Sequence, residues 1–143
     1  MLVSQILKEK GDLVFTASPA ETVAAAAALL HTRRVGAMVV IEGDDVVVGI
    51  LSERDIVRVV AEQGAAGLSQ PISACMTREV LFAKPTETVE SLMARMTDRR
   101  VRHLPVVRDG RLVGIVSIGD LVKNKIAETE AEAEHLKAYI AAG

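Results

Sequence analysis

Apolar positions follow two different periods along this chain, and their alternation predicts a mixed α/β fold. Apolar runs of strand length, rich in valine and isoleucine, occur at 37–41, 46–51, 104–107 and 112–116. The clearest helical stripe, spaced i, i+3, i+4 and i+7, comprises Val89, Leu92, Met93 and Met96. Because the two patterns alternate, we expect a sheet of short strands covered by helices.

The whole pattern occurs twice, which indicates an internal repeat. The matching segments, at an offset of 66 positions, are 14–23 with 80–89 and 33–35 with 99–101. One additional residue in the first copy, near 43–45, shifts the later matches by one position, as expected for a turn. The predicted domain organisation is a first copy at 1–66, a second copy at 67–127 and a helical extension at 128–143.

Both copies predict the same succession of elements. These are first strands at 13–16 and 80–82, helices N-capped by Thr22 and Thr88, hairpins, and last helices that begin at Ser52 and Ser117. Ser18 is a competing N-cap in the first copy, and Asp109-Gly110 is a strong hairpin signal. The glycine-rich segment 64–67 is interpreted as a linker.

The last helix continues beyond the repeat with a weak heptad seam. Its members are Val122, Ile126, Thr129, Ala133, Leu136 and Ile140. Glutamates dominate the remaining face of this segment. The spacing predicts a contact with a partner helix.

Composition and charge narrow the class of protein. Half of the 143 residues are hydrophobic, and the formal net charge of −2 gives no overall attraction to nucleic acid or anionic lipid. Two Phe, one Tyr and no Trp are too few for base-stacking platforms. The single Cys75 excludes an intramolecular disulfide, and no apolar run approaches the length of a membrane span. We expect a cytoplasmic protein with no nucleic-acid or membrane partner.

One motif, Gly-apolar-apolar-Ser-x-x-Asp, occupies equivalent places at 49–55 and 114–120. Locally, Ser-x-x-Asp at a strand-to-helix junction is a capping box. The other interpretation is a nucleotide site, because a strand glycine permits close approach, a helix N-terminus suits phosphate and an aspartate accepts ribose hydroxyls. Duplication of the motif in equivalent places favours the site.

The repeat resembles the CBS motif, and the pair resembles a CBS (Bateman) module of the stand-alone type over about residues 3–127. The segment Arg102-His103-Leu104-Pro105-Val106 adds to the likeness. The resemblance implies an α/β fold of tandem CBS repeats, with βαββα-like units packed as one pseudo-two-fold module. It also implies regulatory binding of an adenine-containing ligand, such as AMP, ADP, ATP, NAD or S-adenosylmethionine, without catalysis.

In this family the aspartate holds the ribose, the serine or threonine helps to hold phosphate, and adenine lies against the first strand of the other copy. Carried over, one cleft uses Ser52, Arg54, Asp55, Val80, Leu81, Arg102, His103 and Pro105. The other cleft uses Ser117, Asp120, Val14, Phe15, Gly36, Ala37 and Val39. The second cleft departs from the pattern, because Gly36-Ala37 stands where the other copy has Arg102-His103. We therefore expect phosphorylated adenosine to bind the Asp55 cleft more tightly.

Other functions are tested against the same residues. No Ser-His-Asp, Cys-His, paired-carboxylate, metal-ligand or phosphate-loop set can be assembled, so we expect neither an enzyme nor a metal cofactor. Cys75 is expected to be an inert buried thiol. His103 could bind phosphate or a metal, but a lone histidine beside apolar residues is more often a packing residue. The alternative function is a structural dimerisation module with vestigial clefts. The resemblance further implies a homodimer of four repeats in a disc, acting on an unidentified regulated protein.

Overall fold

Each sequence copy forms an antiparallel hairpin flanked by helices, as the computed structural model shows for residues 1–11 and 13–142. The first half contains α1 (Val3–Lys10), β1 (Thr16–Ala17), α2 (Val23–Arg33), β2 (Ala37–Glu42), β3 (Val46–Ser52) and α3 (Glu53–Gln63). The second half contains α4 (Val89–Arg99), β4 (His103–Arg108), β5 (Arg111–Ser117) and α5 (Ile118–Ala142). The predicted α/β class is confirmed.

The first strand of each copy is shorter and lies later than predicted. β1 pairs in parallel with β2 at Thr16 and Ala17, while the second copy has a single parallel bridge between Ala83 and Val106. The prediction of strands at 13–16 and 80–82 was therefore wrong in most of its extent. In the first copy only the end of the predicted segment pairs with the next strand, and in the second copy the bridge lies one residue beyond the predicted segment.

Local signals for turns and caps are confirmed at most positions. Thr22 and Thr88 are the N-caps of α2 and α4, and each side chain accepts a backbone hydrogen bond of 3.1 Å. Ser18 is therefore not the cap of α2. Asp109 and Gly110 both have positive φ, as a two-residue hairpin turn requires.

Two other expectations are corrected. The predicted linker at 64–67 lies within a 3-10 helix, Gly64–Ser69, which is followed by another, Ile72–Ala74. The helix α1 was not predicted, because an eight-residue segment with only three apolar positions gives a weak periodic signal.

The N-terminal segment of each copy packs on the other copy, and we call residues 3–10 and 72–77 the exchanged segments. Val3 N donates to Glu87 O at 2.9 Å, just before α4, and Ile72 N donates to Glu21 O at 2.8 Å, just before α2. Val3 and Ile6 of α1 are buried in the core of the second half, whereas Ile72 is buried in the core of the first half. This exchange of segments joins the two halves into one pseudo-two-fold unit.

The strand glycines of the motif have a structural role that differs from the prediction. A Cβ built on Gly49 would lie 2.6 Å from the Sδ atom of Met76, and one built on Gly114 would lie 2.6 Å from Leu7. Both neighbours belong to the exchanged segments. The glycines therefore make room for protein side chains from these segments, and the close approach was wrongly attributed to a ligand.

Candidate functional site

Ser52 and Asp55 join the end of β3 to the start of α3. The Oδ2 atom of Asp55 accepts hydrogen bonds from the backbone N of Ser52 at 2.9 Å and from its Oγ at 3.2 Å. Arg58 Nη1 lies 3.1 Å from Oδ1, and Asp55 is only 4% exposed. The capping box predicted from the sequence is therefore present, and it fixes the carboxylate at the helix N-terminus.

A cavity of about 300 Å³ opens beside this junction, and we call it the Asp55 cavity. It is lined by Gly36, Ile50, Ser52, Glu53, Arg54, Asp55, Thr77, Arg100, Val101, Arg102 and His103. Five of these residues, from both halves of the molecule, were predicted for the first cleft. The three arginines outnumber the two carboxylates of the lining, Glu53 and Asp55, by one positive charge.

A second cavity, of about 310 Å³, adjoins the first and shares Ile50, Thr77, Val101 and His103 with it. We call it the apolar annex, because its own lining includes Val80 and Leu81, together with Glu79 and Arg99. The unpaired stretch before Ala83 therefore forms a cavity wall. Pro105 lines neither cavity; it is buried in β4, and its carbonyl oxygen accepts a 2.9 Å hydrogen bond from Ala83 N.

The equivalent junction at Ser117 and Asp120 has a different partner. Asp120 Oδ2 accepts 2.8 Å and 2.6 Å hydrogen bonds from Ser117 N and from Nζ of Lys10, respectively. Lys10 Nζ also donates to the carbonyl oxygen of Ile115 at 2.8 Å. Burial raises the pKa of Asp120, but the bonds from Lys10 and Ser117 outweigh burial and hold this pKa below its ordinary value.

The other residues predicted for the Asp120 cleft differ in their burial and in their surroundings. Val14 and Phe15 are half-buried, and the Arg33 guanidinium lies 5.1 Å from the centre of the Phe15 ring. Ala37 and Val39 are buried within β2. Gly36 lines the Asp55 cavity.

His103 lies between the two junctions. It pairs with Ser117 across β4 and β5, and a Cβ built on Gly36 would lie 3.2 Å from its Nε2 atom. Burial lowers the pKa of His103, with smaller opposing effects from the surrounding charges. Its imidazole is therefore mainly neutral at pH 7, and it offers hydrogen bonds rather than a full positive charge.

Sequence reasoning missed three residues at these junctions: Lys10, Thr77 and Arg100. Lys10 belongs to a helix that was not predicted and lies far from Asp120 in the sequence. Thr77 belongs to the exchanged segment of the second copy. Arg100 was not singled out, although its equivalence to Arg34 in the repeat was a usable signal.

Residues 1–11 and 13–142 contain neither a metal-binding cluster nor a helix suited to a membrane. No group of three His, Cys, Asp or Glu side chains there is arranged to hold a metal ion. Within the same residues, no helix combines the length and apolar character needed to cross a membrane. Burial, followed by the nearby Asp55 charge, raises the pKa of the Cys75 thiol, which disfavours the reactive thiolate.

Comparisons with known proteins agree with this two-copy architecture. The CBS domain family model matches residues 11–62 and 72–126. The CBS-domain-containing protein ATU1752 from Agrobacterium tumefaciens has a solved structure with 46% sequence identity and a TM-score of 0.85, covering 87% of this chain and 99% of that one. The mitochondrial CBS domain-containing protein CBSX3 of Arabidopsis thaliana is 34% identical over 149 residues, 99% of this chain and 72% of CBSX3.

A further solved structure carries ligands. The CBS domain pair of protein MJ0100, in complex with 5′-methylthioadenosine and S-adenosyl-L-methionine, has 26% identity and a TM-score of 0.80. The match covers 90% of this chain and 98% of that pair. Family model, relatives and folds all converge on a tandem arrangement of the same unit. The chain therefore belongs to the CBS domain family, and its two copies form a CBS domain pair.

Proposed function

We propose that this protein is a regulatory module that binds a phosphorylated adenosine, of the AMP, ADP or ATP type, in the Asp55 cavity and its apolar annex. The observation that carries the proposal is the adjacency of the two cavities. The lining of the first includes an aspartate, a helix N-terminus and three arginines, and the lining of the second includes four aliphatic side chains, with Glu79 and Arg99 beside them. A nucleotide has this same division between a polar sugar-phosphate and a flat base.

The proposed pose follows from this division. The ribose hydroxyls donate to the carboxylate of Asp55, which retains acceptor capacity beyond its bonds to Ser52 and Arg58. The base enters the annex beside Val80 and Leu81. Supporting evidence comes from the MJ0100 pair, whose two bound ligands are both adenosine derivatives.

The charge of the lining favours phosphate over a sulfonium group. Arg54, Arg100 and Arg102 are exposed at the cavity, whereas Glu53 is its additional acidic residue beside Asp55. Guanidinium groups bind phosphate through short, charge-assisted hydrogen bonds. A cationic ligand such as S-adenosylmethionine would instead face three like charges, which the two carboxylates only partly offset. We therefore propose AMP, ADP or ATP as the preferred class.

We further propose that binding regulates a partner without chemical turnover, and that the protein works in the cytoplasm as a homodimer. The groups around Asp55 are suited to holding an anion, and they do not form a nucleophile with an oriented base. The exposed apolar positions of α5 favour self-association. A structural dimerisation module with unoccupied clefts is the competing function, and the ligand test separates the two.

The test is calorimetric titration of wild type and Asp55→Ala with ADP, AMP, adenosine and S-adenosylmethionine. We expect ADP to bind wild type more tightly than adenosine does, and Asp55→Ala to weaken ADP at least tenfold, because the ribose loses its acceptor. Glu62→Ala, at an exposed position of the same helix, is the control and should bind normally.

Because Asp55 also caps α3, Arg102→Ala is a second variant that leaves the cap intact. It should weaken ADP more than adenosine. If wild type binds none of the four compounds, the ligand-binding function is wrong and the dimerisation module is favoured. Conversion of ADP or ATP by wild type that disappears in Asp55→Ala would overturn the non-catalytic role.

A further inference from the structure

The position of Lys10 is set by the packing of its helix. Val3, Ile6 and Leu7 bury one face of α1 in the core of the second half, and Leu7 covers Gly114 of β5. The helix ends directly after Lys10 at Gly11, which has a φ of 95°. The apolar contacts of α1 therefore place Lys10 at the Asp120 junction, and these contacts do not depend on the charge of the lysine.

The two junctions differ in the group that meets the strand carbonyl. In the first half, the carbonyl oxygen of Ile50 accepts a 2.9 Å hydrogen bond from Thr77 N. In the second half, the equivalent carbonyl of Ile115 accepts its 2.8 Å bond from the Lys10 ammonium. A neutral backbone group at one junction is therefore replaced by a full positive charge at the other.

The same ammonium also occupies an acceptor position on Asp120. Its bond to Oδ2 is 2.6 Å long, and the carboxylate is partly exposed, at 26%. A ribose that uses this carboxylate must compete with Lys10. The Lys10 ammonium has three donors, and two of them are used here. A partly buried ammonium that loses its anionic partner raises the free energy of the protein.

We propose that Lys10 is the specificity-determining residue of the Asp120 cleft, and that it makes this cleft selective for phosphorylated adenosine. When the ribose binds Asp120, it displaces the Lys10 ammonium from the carboxylate. The displaced ammonium then binds the phosphate of the ligand. Adenosine without phosphate leaves the displaced ammonium unpaired, and a cationic adenosine derivative repels it. The inference rests on the proposed nucleotide function, but it assigns the selectivity of the second cleft to a residue outside both motifs.

The experiment isolates the second cleft in an Asp55→Ala background and adds Lys10→Met. Calorimetry with ADP and adenosine then gives the ratio of the two affinities. We expect Lys10→Met to lower this ratio about tenfold or more, by weakening ADP and strengthening adenosine. Lys8→Met, the same change at an exposed position of the same helix, should leave the ratio unchanged. Ile50→Trp, which fills the Asp55 cavity, is a second background if the Asp55 variant unfolds.

An unchanged ratio in Lys10→Met, or an equal change in Lys8→Met, would overturn the inference. Nucleotide binding by wild type that disappears completely in both backgrounds would also overturn it, while leaving the proposed function in place. Absence of binding by wild type itself would remove the proposed function, and the selectivity with it. Stronger adenosine binding together with weaker ADP binding in Lys10→Met supports it.

Discussion

His103 shows how one side chain responds to both halves of the molecule. It belongs to β4, lines both cavities of the first cleft and contacts Gly36 of the other half. The Lys10 and Arg102 charges lower its pKa, whereas Asp120 and Glu53 raise it, but burial is the largest effect and lowers it. His103 is therefore a packed, neutral residue in the free protein.

The lowered pKa of His103 predicts a loss of stability in mild acid. The unfolded chain protonates this histidine near pH 6.5, whereas the folded state resists protonation until lower pH. The unfolding free energy should thus fall between about pH 7 and the lowered pKa, by at most about 1.4 kcal/mol per pH unit. Urea denaturation at pH 7.5 and 5.5 measures this loss.

Two variants make this pH prediction specific. His103→Gln should lose less stability than wild type over the same interval. His31→Gln, at an exposed position of α2, should lose as much as wild type. An identical loss in His103→Gln and wild type would contradict the assignment. The lowered pKa of Asp120 acts in the same direction, but only below about pH 5, so it does not interfere between pH 7.5 and 5.5.

At the scale of elements, α2 and α4 end in the same unusual way. Arg34 and Arg100 are their C-caps, with φ of 55° and 54°, in the left-handed region that favours glycine. An arginine there costs conformational energy relative to glycine. Arg100 lines the Asp55 cavity. We infer that its side chain contributes to ligand binding there, which would explain an arginine at this strained position.

Glycine substitutions at these two caps test that inference. Arg100→Gly and Arg34→Gly should each raise the unfolding free energy, by about 0.5–1 kcal/mol, because the left-handed strain is relieved. Only Arg100→Gly should also weaken ADP binding, several-fold. Urea denaturation and calorimetry on both variants measure the two effects. Equal ADP affinities in the two variants would show that Arg100 does not contribute to the site.

At the scale of the whole molecule, the exchanged segments and α5 have opposite roles. The exchanged segments close the two cores, as the burial of Val3 and Ile72 shows. The end of α5, residues 129–142, is exposed throughout and adds nothing to either core. It nevertheless presents Leu136 and Ile140, which are 60% and 68% exposed. A second copy of this helix is the partner that the heptad seam favours.

Removal of residues 129–142 should therefore weaken the proposed homodimer without unfolding the protein. We expect at least a tenfold rise in the dimer dissociation constant, measured by sedimentation velocity, and an unchanged thermal transition of the subunit. Lys137→Gln in the full chain, which changes a charge outside the seam, is the control. An unchanged dissociation constant after truncation would exclude the helix from the interface.

Sequence alone determined the features that depend on neighbouring residues. The repeat, the Thr22 and Thr88 caps, the hairpins and both Ser-x-x-Asp junctions follow from short-range spacing and turn chemistry, and all are present in the structure. Arg102 and His103 line the same cavity as Asp55, as the family resemblance implied. The spacing of residues alone does not show that these parts of the two copies meet.

Only the tertiary structure decided which segments meet across the two copies. The contact of Lys10 with Asp120 joins residues 110 positions apart, and Gly36 lies at the Asp55 cavity because His103 packs against it. The glycines at 49 and 114 have a local signature of close approach, but the approaching atoms belong to exchanged segments. Such contacts depend on how two hydrophobic cores are closed, and the pattern of any single segment does not specify that.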